Sequence, residues 1–136
     1  MTWAEELSVM FKEADGDLGV FLLLAALRKT ENGSPGREMG ILDKRATTFT
    51  DQVHWAGNTI RNNAWRAVHA VTTIKVRDPQ TGLFTMAFMT YFSHIYAPIG
   101  AENDPRGLNK NHLHNLTTWH DNFAMQAERA LTSLKV

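Results

Sequence analysis

Apolar positions recur at helical spacing in five stretches of the chain. In the first, Trp3, Leu7, Met10 and Phe11 fall on one side of a helix. Thr2 and Glu5 form a capping box at its start, Gly16 ends it, and Asp17 caps the next. From Leu18 to Thr30 the chain is apolar nearly all round, which predicts the central buried helix. Arg28 and Lys29 close that helix, where cations suit the dipole, and Asn32-Gly33 breaks it. A third helix is expected over about 49–70, started by Thr48 and Asp51, with Val53, Ala56, Ile60, Ala64, Ala67 and Val71 on one face. A fourth runs from a cap at Thr85 to Tyr96, with Phe88, Met89, Phe92 and Ile95 together. Asn109 can cap a long last helix that carries Leu113, Leu116, His120, Phe123, Ala127, Ala130 and Leu134 at spacings of three and four. The segment "TTIKVRDPQTGLF" reads as a strand–turn element or an extended loop, so a small extended or hairpin element is placed near 71–84. The pattern as a whole predicts an all-α, mainly helical single domain of about five helices spanning 1–136.

Two loops, 32–48 and 97–108, hold most of the glycine and proline. Loops set on a rigid helical scaffold are where sites usually sit. The first begins at Glu31, a carboxylate that closes a helix opened by ten uncharged residues, "LGVFLLLAAL". Four of the next nine positions are Gly33, Pro35, Gly36 and Gly40. A carboxylate against an apolar wall, followed by a stiff loop, is the arrangement a proton-handling acid needs.

Composition removes several alternatives. The chain has 14 Lys plus Arg and 14 Asp plus Glu, so net charge supplies no attraction for nucleic acid or an anionic membrane. It has no cysteine, which excludes a disulfide scaffold and a thiolate zinc site. The acidic N-terminal stretch has no apolar core of a signal peptide, and the longest apolar run is about half of the ~20 residues a membrane span requires. Synthesis in a cytoplasm without an export signal is the expectation. His112, His114 and His120 form no HExxH-like motif, so no metal and no cofactor is expected. Trp55, Trp65 and Trp119 are expected in the core or at an interface.

Three blocks, "ENGSPGREMG", "WAGNTIRNN" and "YAPIGAENDPRGLNKNH", stand in an order that resembles the lysozyme-like superfamily, its small phage-encoded lytic transglycosylases and muramidases above all. The resemblance spans about residues 20 to 116. It implies an all-α lysozyme-like domain whose target is the glycan strand of peptidoglycan, with Glu31 as general acid. Asn32, Glu38, Asp43, Asn58 and Tyr96 are then the expected substrate-binding residues. Tyr96 carries over from an aromatic segment of the family, and Asp43 stands where the family has Gln. His112 replaces the usual Trp, and the 71–84 region matches nothing in the family.

Cleaving a glycosidic bond requires a proton on the leaving oxygen, and a carboxyl can supply it near neutral pH only if burial keeps it uncharged. Most glycosidases add a second carboxylate, for which Glu38, Asp43, Asp51 and Glu102 are candidates. Transglycosylases of the resembling family use one, and the sugar's N-acetyl and 6-hydroxyl groups complete an anhydro product. The residues leave both outcomes open. A virion or tail component that opens the wall for DNA entry, in contact with other virion or tail proteins, and an endolysin are the two delivery routes the resemblance implies. A non-catalytic tail or neck protein derived from a lysozyme-like domain is the alternative.

Overall fold

The computed structural model describes residues 1–70 and 73–134. It is mainly helical, with five α-helices among those residues: α1 (Trp3–Ala14), α2 (Leu18–Glu31), α3 (Phe49–Ala70), α4 (Met86–Tyr96) and α5 (His112–Leu134). A short 3-10 turn, Leu108–Asn111, leads into α5, so the last helix begins three residues beyond the cap expected at Asn109. The other caps act as the sequence predicts. Thr2 and Glu5 close a reciprocal capping box, Asp17 accepts from Val20 N–H, and Thr85 accepts from Phe88 N–H. Asn32 ends α2 in the left-handed conformation.

Helix α2 is the axis of the domain. Leu23, Leu24 and Leu27 are fully buried and pack with Met10, Val53, Ile60, Phe88, Phe92 and Leu116, so every other helix contributes to one core. Each such leucine is worth roughly 1.5–3 kcal/mol of burial. Polar ties orient α2 at both ends. Near its N-terminus, Arg77 grips Asp17 at 2.7 and 2.9 Å. Near its C-terminus, Arg28 pairs with Glu6 of α1 at 2.9 and 3.2 Å, and Lys29 lies 4.1 Å over the ring of Trp3.

The extended element near 71–84 is reduced to one antiparallel bridge, Arg77 to Phe84, around a turn closed by Gly82 N–H to Asp78 O. The part of that expectation on residues 71 and 72, with Val71 of the α3 face, lies outside the described residues. Of the two places expected for Trp65, the core is excluded: it is 61% exposed, stacked on His69 with ring centroids 4.1 Å apart. Phe11 and Ile95 also face outward. No helix among the described residues is long and apolar enough to cross a membrane.

Candidate active site

The first glycine-rich loop is tied down by one side chain. Gln52 of α3 is fully buried. Its Oε1 accepts from Met39 and Ile41 N–H, both at 3.2 Å, and its Nε2 donates to Ile41 O at 2.9 Å and Ala46 O at 2.6 Å. All four hydrogen-bonding positions of the amide are used. Arg37 adds bonds to Gly36 O and Ala46 O, and buried Glu38 accepts from Gly36 N–H at 3.0 Å. The buried Met39 side chain anchors the loop in the core, and the Tyr96 hydroxyl of α4 donates to its carbonyl.

The second loop is organised by Asp104. Its buried carboxylate accepts from the N–H groups of Gly100, Leu108 and Asn109 at 2.8–3.1 Å. Burial works against the charge, but these backbone donors prevail and hold the carboxyl below its usual range. Asn109 donates to Pro98 O at 3.1 Å. The loop thereby delivers His112, the first residue of α5, to the end of α2.

There Glu31 meets residues of α5, α4 and the first loop. It is the last residue of α2, at the negative end of the helix dipole, where an unpartnered carboxylate is unfavourable. His112, 6% exposed, places Nε2 2.9 Å from Glu31 Oε1. Its other ring nitrogen, Nδ1, lies 2.6 Å from Ser93 Oγ of α4. The Tyr96 ring stacks against the imidazole at 6.1 Å and 24°. Gly40 occupies the remaining side: a Cβ there would lie 2.5 Å from Glu31 Oε2, and its φ of +75° is a left-handed conformation suited to glycine. The Glu31 side chain retains 22% exposure. Burial first, and the Glu31 charge second, push the Tyr96 phenol well above its ordinary value, so it remains a neutral donor.

Ser93, His112 and Glu31 share the connectivity of a hydrolase triad, but the chain is inverted. The hydroxyl is the sealed end, 4% exposed within α4, and the carboxylate is the end that reaches solvent. The group available for chemistry is Glu31.

The expected site residues separate into three groups. Glu31 and Tyr96 come together, with Asn32 exposed beside Glu31 at the helix cap. Glu38 is taken up in bracing the loop. Asp43 forms a two-point pair with Arg45, whose hydrogen bonds bring its carboxyl down to about 2. Asn58 bonds to His54 and Arg61, in a cluster centred on Glu13 of α1 rather than on Glu31. His112, Ser93, Gly40 and Gln52 are additions to the sequence-based site. Two of them carried a signal: Gly40 closes the first resembling block, and His112 stands where the resembling family carries Trp.

Three surface hollows, of about 570, 450 and 250 Å³, lie on the outer part of α5, beside Trp65, and between Trp3, Phe21 and Phe123; Glu31 lines none of them. Among the described residues no cluster of three or more His, Asp and Glu side chains is arranged to hold a metal ion. Comparison with known proteins brings no match among protein families, curated proteins or solved structures.

Proposed function

We propose that this chain is a lysozyme-like peptidoglycan glycosidase or lytic transglycosylase that cleaves the β-1,4 bond between N-acetylmuramic acid and N-acetylglucosamine, with Glu31 as general acid. One observation carries the reading: the Glu31 carboxylate is held at a helix end by a buried histidine on one oxygen, while its other oxygen lies against the bare backbone of Gly40. A proton donor needs that combination of fixed orientation and a free oxygen. The first and third of the sequence blocks that resemble the lysozyme-like superfamily supply Glu31, Gly40, Tyr96 and His112, which lends further support. Two of the four candidate second carboxylates, Glu38 and Asp43, are engaged in loop bonds, which supports the single-carboxylate route and an anhydro-sugar product to that extent. The setting proposed is a phage virion or tail component acting at the bacterial cell wall.

A non-catalytic tail or neck protein is the second reading. The exposed apolar side chains Trp65, Val68, Met125 and Leu131, which suit burial against neighbouring subunits, favour it. Digestion of purified peptidoglycan separates the two. The enzyme releases muropeptides and Glu31→Gln does not; mass spectrometry then distinguishes anhydro from reducing ends by one water. Equal release by both proteins, or release by neither, decides for the structural role.

A further inference from the structure

We propose that Ser93 and His112 are positioning residues for Glu31: they hold the imidazole in the Nε2–H tautomer, which keeps Glu31 Oε1 as an acceptor and assigns the transferable proton to Oε2. This deepens, and rests on, the reading of Glu31 as the acid.

The buried end of the chain sets the hydrogens. Among the described residues, His112 Nδ1 is the one hydrogen-bond partner of Ser93 Oγ. Several helix threonines in this protein donate back to their own helix, as Thr30 does to Ala26 O, Thr59 to Trp55 O, Thr90 to Met86 O and Thr117 to Leu113 O. Ser93 makes no such bond. If it accepted a hydrogen from Nδ1, its own O–H would be buried without an acceptor, the costly case for a sealed donor. Ser93 therefore donates, Nδ1 accepts, and the neutral ring carries its hydrogen on Nε2.

That N–H faces Glu31 Oε1 at 2.9 Å and donates to it. A carboxylic acid that accepts at one oxygen carries its proton on the other. Oε2 is the oxygen beside Gly40, where no side chain stands in the way. In the opposite tautomer Nε2 would present a lone pair and draw the Glu31 proton onto Oε1, toward the buried ring and away from any sugar. The Tyr96 ring, stacked on the imidazole and fixed through its hydroxyl to Met39 O, holds the ring plane. A serine two links from the acid thus decides which oxygen is the acid.

The test is heteronuclear NMR of the His112 ring nitrogens in the full chain, paired with peptidoglycan kinetics. Wild type is expected to show the Nε2–H tautomer near neutral pH. Ser93→Ala is expected to mix the tautomers and to lower kcat roughly 10- to 100-fold at unchanged KM, the size expected for a misoriented catalytic group. Ser93→Thr, which keeps the hydroxyl, is expected to restore both. His112→Gln, whose amide can donate to Oε1, is expected to retain more kcat than His112→Phe. An Nδ1–H or doubly protonated ring in wild type, or Ser93→Ala with unaltered tautomer and kcat, overturns the proposal. If wild type cleaves and Glu31→Gln does not, yet Ser93→Ala matches wild type, the positioning role alone fails. If wild type releases nothing, the glycosidase reading falls and the catalytic role of this pair with it, while the ring spectrum still decides the tautomer.

Discussion

The hydroxyl of Tyr96 donates to the backbone carbonyl of Met39, so α4 grips the loop that faces Glu31. The phenol is therefore spent on the scaffold, although the sequence placed Tyr96 among the substrate contacts. Tyr96→Phe keeps the ring against His112 and leaves a carbonyl short of a donor. The expected cost is about 1–2 kcal/mol in denaturant unfolding. Because the hydroxyl is committed to the loop, KM on peptidoglycan is expected to change less than stability does. A large rise in KM with unchanged stability would return the hydroxyl to the substrate.

Gln52 is the second grip on that loop, and its four bonds make it sensitive to isosteric change. Gln52→Glu keeps the shape but replaces the NH2 and its two hydrogens with one oxygen facing the carbonyls of Ile41 and Ala46. Gln52→Leu keeps the volume and leaves three backbone groups unsatisfied, Met39 N–H, Ile41 N–H and Ile41 O, while Ala46 O keeps its bond from Arg37. Each is expected to cost more than about 3 kcal/mol, the range that follows loss of a buried hydrogen-bond network. Hydrogen exchange at Met39 and Ile41, whose N–H groups lose their acceptor in the leucine variant, is the local check.

Gly40 separates strain from site chemistry. Gly40→Ala places a methyl against Glu31 Oε2 in a backbone conformation that costs L-residues roughly 1–2 kcal/mol. Gly82→Ala carries a similar positive φ but meets nothing within 4 Å, so it reports the strain alone. Both are expected to lower the unfolding midpoint by comparable amounts. Only Gly40→Ala is expected to abolish muropeptide release, because its methyl displaces the carboxylate. Equal activity in the two variants would show that Oε2 has no part in the reaction.

These three positions mark where sequence reading succeeds and where it stops. Helix ends were legible because caps are local: Thr2 with Glu5, Asp17 with Val20 and Thr85 with Phe88 act within three residues. The burial of α2 was legible because its uncharged run admits no solvated face. Glu31 was legible as a carboxylate out of place. Its partners were not, since His112 lies 81 residues after Glu31 and Ser93 lies 19 before His112, and no period links them. No local pattern marks Gln52, and nothing near it in sequence shows that the loop folds back over it. Asn58, expected at the site through the resemblance, lies instead in the cluster around Glu13, bonded to His54 and Arg61.

His120 provides a test of the core that is independent of the site. It is 3% exposed, and neither ring nitrogen has a hydrogen-bond partner among the described residues. The carboxylate of Asp121 lies 3.6 Å from Nδ1, beyond hydrogen-bond range. Burial depresses the His120 value below the ordinary 6.5, and the Asp121 carboxylate opposes this only in part. The unfolded chain then binds a proton that the folded chain refuses. The stability this group contributes is fully present above the unfolded value and is lost as pH falls from about 6.5 toward the folded one. His120→Leu has similar volume and no nitrogen to satisfy, and replacing an unpartnered buried polar group with an apolar one is neutral or stabilising. The variant is expected to melt at or above the wild-type temperature at pH ~7, with a smaller fall between pH ~7 and ~5. Parallel melting curves across that range would show that His120 is protonated as readily in the folded chain as in the unfolded one, and that solvent reaches its ring.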